Sequence, residues 1–314
     1  MKIEFLSLED YCRVGLRPTT VFGSDAFLRL NQPRAESVVC AVADNRIGIA
    51  FGLKNDTLCS PWSAPYMALS VTSDISLQEV MSFGTLLRNE LSETDGYKLV
   101  TPPTVYGDLE SAFFEGFRRP TDIVITDTSF HVDLKEAIGT EKWNRNSRRN
   151  LKRAVDAGLQ LVRADSPDTC YRLIAIHHHH HNYEMAMTEK AVIETAAIVP
   201  ADFWMVVNGD GEACAGAYCF KVRDDIVQVI NSGDTETGRE NGAMTFMAYA
   251  LISYYRHQLL EEENQSNAIL DYGPTSVQGV QNEGLFRFKT GFGGIVTPKF
   301  TLISHQSHTG LQSK

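Results

Sequence analysis

Two stretches of the sequence gather residue types that bind anions. Arg239-Glu240-Asn241-Gly242 stands just ahead of a long apolar helical run. The first turn of such a helix offers unpaired backbone N–H groups and the positive end of its dipole to an anion. Arg239, Asn241 and Gly242 are therefore a candidate phosphate site, the plainer alternative being an ordinary helix start capped by Asn241. Upstream, Arg145, Arg148, Arg149, Lys152 and Arg153 recur at i, i+3, i+4, i+7 and i+8, so one helix face carries all of them. A stripe of one sign is either a solvated face or a surface that meets phosphate, because like charges at this spacing repel. Arg148, Arg149 and Asn150 are its candidate ligand contacts, with Trp143 near them.

A run of histidines, His177–His181, invites a metal. On a helix His177, His180 and His181 share a face and could take up Ni²⁺ or Zn²⁺ adventitiously. No cysteine or carboxylate at metal-ligand spacing accompanies them, so neither a structural nor a catalytic metal is expected. No Ser-His-Asp or Cys-His arrangement has local sequence support.

The elements that must position these residues are legible from periodicity. Residues 37–43 and 46–53 are β-rich runs separated by Asp44-Asn45, a hairpin signal. Residues 60–71 form a Pro-punctuated loop entering a strand, 76–91 have helical apolar spacing, and 97–103 and 122–133 read as strands. The basic stripe belongs to an amphipathic helix over 140–157, with Trp143, Leu151, Ala154 and Val155 on the apolar face and Gly158 as its stop. Helices near 166–182 and 187–197 follow. Three strand runs, DFWMVVN, EACAGAYCFKV and DIVQVINSGD, then precede a mostly buried helix over about 241–260. The strand AILDYG, a Gly-rich loop, a short helix near NEGLFRFK and the strand KFTLIS complete the chain. The grammar of strands, helix and strand occurs twice, which predicts an α+β protein of two halves, each a mixed sheet crossed by helices, over residues 1–139 and 140–314. The duplication is one of element order; no residue-level repeat is visible.

Composition limits the function. A length of 314 residues suits two domains, and 43 % apolar with 22 % charged residues is ordinary for a globular chain. A net charge of −10 argues against a broad nucleic-acid surface while leaving room for a local basic patch. No apolar run approaches the ~20 residues that span a bilayer, and the start lacks the features of a secretion signal. Cys12, Cys40, Cys59, Cys170, Cys214 and Cys219 show no paired spacing, and Cys40, Cys214 and Cys219 lie in apolar strand runs. Reduced thiols in a cytoplasmic protein are the expectation. The polar residues beyond Ile303 are set apart from the rest.

Three segments resemble the FemABX and related tandem-GNAT acyltransferases. They are WNRNSRRNLKRAVDAGLQL (143–161), a basic helix ending in Ala-x-x-x-Gly; LDYGPTSVQGVQNEGLFRFKTGFGG (270–294), in which several fixed spacings coincide; and GREN-GA (238–243), where Met244 departs from the family's small residue. The resemblance covers roughly the carboxyl-terminal half. It implies transfer of an acyl group, from acyl-coenzyme A or aminoacyl-tRNA, to an amine. It implies further that Arg239–Gly242 holds the pyrophosphate of the coenzyme, and that Lys289 faces the donor and stabilises negative charge, the alternative for Lys289 being a surface position.

Acyl transfer needs alignment of two reactants, a stabilised oxyanion and removal of a proton. Asp271 could orient or deprotonate the amine, or simply shape the turn before Tyr272-Gly273-Pro274. Tyr218 and Ser232 could protonate a leaving thiolate; for Tyr218 a core position is the alternative. The expected activity is an N-acyltransferase that uses acetyl- or another acyl-coenzyme A, needs no metal, and acts on a small amine or an amino-bearing cell-envelope precursor. Its rivals are an aminoacyl-tRNA-dependent peptidyl transferase, with the basic stripe meeting the tRNA acceptor end, and a catalytically inactive binding module.

Overall fold

The computed structural model describes residues 1–91 and 96–304; the polar chain end beyond Ser304 lies outside them. Contacts divide the chain into two compact units, residues 1–128 with 276–280 and 297 onward, and residues 129–275 with 281–296. The division differs from a boundary at 139/140 for two reasons. Residues 129–133 pair in antiparallel register with residues 269–274, from Ile269 opposite Asp133 to Pro274 opposite Ser129. The end of the chain returns to the first unit, where Thr301–Ile303 pairs antiparallel with residues 98–100. Local periodicity carries no sign of such a return.

In the first unit, Ser37–Ala43 and Ile47–Lys54 form the expected hairpin. Asp44 and Asn45 have φ of 49° and 54°, the left-handed pair that a two-residue I′ turn requires. Ile47–Lys54 continues to Thr57–Ser60, which pairs in parallel with Gly96–Val100 after the intervening helix Leu77–Glu90. That helix and Leu109–Phe117 bury one sheet face over Ile49, Phe51, Leu69 and Leu99. The two helix backbones touch at Gly116, where a Cβ would lie 2.1 Å from the Met81 carbonyl oxygen. Helix Leu77–Glu90 opens with a capping box: Ser76 Oγ accepts from Glu79 N, and the Glu79 carboxylate accepts from Ser76 N. Ser76→Ala removes one half of it and is expected to cost ~1 kcal/mol, read as a lower urea midpoint at unchanged slope.

The second unit runs β1 (Ile123–Asp133, of which 129–133 belong here), α1 (Arg145–Asp156), β2 (Gln160–Arg163), α2 (Pro167–His180), α3 (Glu189–Ala196), β3 (Ala201–Val207), β4 (Ala213–Arg223), β5 (Ile226–Asp234), α4 (Glu236–Glu240), α5 (Ala243–Arg256), β6 (Ile269–Pro274) and α6 (Glu283–Gly291). The sheet order is β1-β6-β5-β4-β3-β2, with β5 and β6 parallel and the other neighbours antiparallel. Both units thus share one order: three antiparallel strands, a helix, and a strand parallel to the third. This is the α+β architecture of two mixed sheets crossed by helices. On one face Met247, Leu251 and Tyr255 of α5 and Ala154 of α1 pack on Trp204, Ala217 and Val229. On the other face α2 lies close enough to β4 that a Cβ on Gly216 would sit 3.4 Å from Cys170 Sγ. All six cysteines are unpaired thiols.

Two helix starts differ from the sequence reading. α1 begins at Arg145 because Asn144 caps it, its Oδ1 accepting from Ser147 N at 2.8 Å. Trp143 is buried just ahead of the helix rather than on its apolar face. The helix start assigned to Asn241 is split: Asn241 ends α4, and Gly242, at φ 75°, is the N-cap of α5. Among the described residues no helix is long and apolar enough to cross a membrane.

Candidate functional site

β5 and β6 pair only over Ile226–Gln228 and Ile269–Asp271. Beyond that, β5 continues beside β4 to Asp234, whereas β6 shifts its register on β1 between Asp271 and Gly273. The fork is closed by side chains. Asp271, 1 % exposed, accepts from Gln228 Nε2 at 3.1 Å through Oδ2 and from Gly273 N at 2.7 Å through Oδ1. His131 lies opposite Asp271 in register; burial pushes its pKa down while the Asp271 charge pulls it up. Asp271 therefore shapes the turn before Tyr272-Gly273-Pro274, with both its oxygens bonded where the strands part.

Lys289 comes to this point from α6. It is 6 % exposed, which excludes the surface position. Its Nζ donates to the carbonyls of Tyr272, Gly273 and Pro274, the last two at 3.1 and 3.0 Å. An ammonium has three donors and no more. Lys289 thus holds the chain where β6 leaves the fork, and it reaches a ligand only by giving up one of these bonds. Burial lowers its pKa to about 8, with Asp271 opposing.

Past the fork the register of β4 and β5 shifts by one residue, with Cys219 opposite Val229, Tyr218 opposite Asn231 and Ile230 as the extra residue. Such a bulge re-aims the side chains that follow. Tyr218 is buried against Phe203 and Phe220; burial drives its pKa up, and a hydrogen bond to Asn231 opposes this. Ser232 lies opposite Ala217, and its N–H donates to Asn231 Oδ1. The structure thus brings Tyr218 and Ser232 to Asn231, apart from the Asp271–Lys289 knot.

Asn231 also meets His178, whose Nε2 lies 2.8 Å from Asn231 Oδ1. At the end of β5, Asp234 Oδ1 lies 3.0 Å from His177 Nδ1 and accepts from Arg239 Nη2 at 3.0 Å. The same Nη2 lies 2.8 Å from His181 Nε2. Burial alone would raise the pKa of Asp234; the hydrogen bonds from His177 and Arg239 outweigh it, and the net shift is downward. His177 and His178 are thus tied to β5 and His181 to Arg239 of α4, roles that composition alone did not suggest. A signal for it was present: Cys170, Ile174, His177, His178 and His181 continue one face at i, i+4, i+7, i+8 and i+11, and the first two are buried. Among the described residues no group of three or more His, Cys, Asp or Glu is arranged to hold a metal ion.

Gly242 ties the second candidate region to the first. A Cβ there would lie 2.7 Å from the main-chain oxygen of Asn150, so α1 rests directly on the start of α5. The stripe on α1 is exposed. Arg149 donates to Asn146 and Arg153 to Asn150, and of the five cations Lys152 alone has a carboxylate partner, Asp156, among the described residues.

No family model and no curated protein sequence matches the chain. Solved structures do. FemX superposes with a TM-score of 0.64 at 10 % identity over 100 % of both chains. The chain has the FemX fold. It is similar as well to the C-terminal domain of an Agrobacterium fabrum protein named as a lysylphosphatidylglycerol synthetase (TM-score 0.55, 12 % identity, 85 % of this chain and 83 % of that one). L-PGS from Bacillus licheniformis gives 0.53 at 11 % identity over 84 % and 82 %. The fold implied by the FemABX-like motifs is therefore the one observed.

Proposed function

We propose that the chain is an acyltransferase, moving an acyl group from acyl-coenzyme A to the amine of a small molecule or a cell-envelope precursor. The observation that supports this best is the meeting of α1 with the start of α5 at Asn150 and Gly242, which sets the helix that carries Arg148 and Arg149 against a helix start that Arg239 precedes by three residues in the chain. Cations and a helix terminus together suit a pyrophosphate. The acyl arm would follow the edge of β5 beyond Gln228, where pairing with β6 has ended, toward the fork at Asp271. There the turn fixed by Lys289 offers a rigid wall, and rigidity is what alignment of two reactants requires. The donor is already activated, so positioning and charge stabilisation are the protein's main tasks. Met244, partly exposed in the first turn of α5 and packed against the core, stands where the family has a small residue, and the inactive-module reading rests on that departure.

A second donor, aminoacyl-tRNA, is favoured by the cationic stripe itself. α1 has 12 residues, about 18 Å of helix, more than one pyrophosphate can cover. The likeness to FemX and to L-PGS points the same way. Thermal shift separates the donors. A ligand that binds only the folded state at about a hundredfold its Kd adds ~2.7 kcal/mol, a rise of several degrees. The expected result is a rise with acyl-coenzyme A. A rise with aminoacyl-tRNA alone transfers the conclusion to the second donor, and no rise with either leaves a binding module of other specificity.

A further inference from the structure

His181, His177, Arg239 and Asp234 form a cluster that acyl transfer as such does not require. Asp234 is its anchor, with a side chain 7 % exposed. His177 is pressed against β5 at a position only glycine allows, since a Cβ on Gly233 would lie 2.7 Å from His177 Cβ. Three atoms of Asp234 face His177 Nδ1: Oδ1 at 3.0 Å, the carbonyl oxygen at 3.1 Å and the main-chain N, which donates to it, at 3.2 Å. Arg239 is 51 % exposed along its side chain, and one guanidinium nitrogen, Nη2, serves both Asp234 and His181. Nε and Nη1 have no hydrogen-bond partner among the described residues. His181 is exposed and stacks on Tyr183 at 5.7 Å.

The bond between Arg239 and His181 fixes a protonation state. Arginine only donates, so His181 Nε2 accepts and the ring is neutral. Desolvation by the groups around it holds its pKa down although the ring is exposed, and His177, Arg239 and His180 add to this against Asp234. An anion lodged between Arg239 and His181 opposes these effects, because negative charge favours the protonated ring.

We propose that Arg239 and His181, held in place by Asp234 and His177, form a site for an internal phosphate or pyrophosphate group and take up a proton as that anion arrives. This rests on the acyltransferase reading, in which a phosphate-bearing donor lies at this turn. As the phosphate enters, an Nε2–H bond forms on His181 with a proton from solvent, its bond from Arg239 is given up, and both groups donate to phosphate oxygens. The anion is either the pyrophosphate bridge of coenzyme A, a phosphoanhydride, or the phosphodiester of a nucleic-acid backbone.

Calorimetry of the full chain with 3′-dephospho-coenzyme A and with a CCA trinucleotide lacking terminal phosphates distinguishes the two. Neither ligand carries a terminal phosphate monoester, so no phosphate in either titrates where histidine does, between about pH 5 and 8. The affinity for one of them is expected to rise as pH falls across that range, by up to about tenfold per pH unit for the one proton taken up. The measured heat should vary with the ionisation enthalpy of the buffer, the sign of proton uptake. Arg239→Gln is expected to weaken binding by at least tenfold, and His181→Gln to leave binding that no longer depends on pH. Binding confined to the trinucleotide supports the cluster and moves the donor to tRNA. Equal affinity at both ends of the range, no buffer dependence in the wild type, or a pH slope that survives in His181→Gln overturns the cluster while leaving the acyltransferase reading intact. No binding of either ligand at any pH overturns it too, and the thermal-shift comparison with acyl-coenzyme A then decides that reading separately.

Discussion

Lys289→Met is expected to destabilise the protein by roughly 3 kcal/mol, a fall in Tm of about 6 to 12 °C for a domain of this size. Methionine keeps the length and apolar stem of lysine, so packing changes little. What is lost are the donors to the Tyr272, Gly273 and Pro274 carbonyls. A buried acceptor left without its partner costs about 1–3 kcal/mol, which outweighs the relief of no longer burying an ammonium. The effect carries a pH signature. The pKa of Lys289 lies at about 8 in the fold against 10.5 in an unfolded chain. Between these values the unfolded state binds a proton the folded state lacks, so the contribution of Lys289 to stability increases as pH rises through that window. The stability gap between wild type and Lys289→Met should therefore widen from pH 7 to about pH 10, as chemical denaturation would read. A mutant that melts with the wild type at all pH values would show that the three carbonyls find water in place of the ammonium. Turnover measured well below the melting temperature then tells whether Lys289 also meets the donor. Loss of kcat with Tm restored by ligand would mean that it does.

How much of this was legible in the sequence varies with the range of the contacts. The hairpin at Asp44-Asn45, the amphipathic basic helix and the order of strands are local signals, and each element appears close to its expected place. The segment GLFRFKTGFGG marked Lys289 as special, but its partners lie 15 to 17 residues upstream on β6 and touch it only because α6 folds back there. The return of Thr301–Ile303 to Lys98–Val100 is still longer in range, and no periodicity encodes it. The histidine run shows another limit. Composition suggests only adventitious metal uptake, whereas read as a continuation of the buried face of Cys170 and Ile174 it places His177 and His178 against β5, with His181 beyond them on Arg239 of α4.

Gly238→Ala is expected to cost about 3 kcal/mol and to weaken binding of the donor at Arg239, against what helix propensity suggests. Gly238 lies inside α4 and has no left-handed φ, so by propensity alone alanine would gain up to ~1 kcal/mol. Sterics oppose this. A Cβ on Gly238 would lie 1.9 Å from the carbonyl oxygen of Cys214 and 2.7 Å from its carbon. Both atoms are main chain of β4 at a bulge where Cys214 has no partner on β3, and the carbonyl is held instead by Thr235, whose N donates to it at 2.9 Å and whose Oγ1 donates at 3.3 Å. Restoring ordinary contact moves α4 outward by on the order of an ångström, and overpacking of this kind costs about 1–3 kcal/mol, more where the neighbour is rigid. The sign is thus set by the clash. The next residue is Arg239, whose bond to Asp234 at 3.0 Å does not survive such a displacement, so the phosphate site should loosen with the fold. Gly242→Ala is the milder comparison. Its φ of 75° adds about 1 kcal/mol of strain, but its Cβ would lie 2.7 Å from Asn150 O, a smaller overlap than the 1.9 Å at Gly238. Melting curves of the two variants, with Kd for 3′-dephospho-coenzyme A, test the order. A Gly238→Ala protein as stable as the wild type, with its Kd unchanged, would show that α4 is not seated on β4 by this contact and that Arg239 is positioned by Asp234 alone.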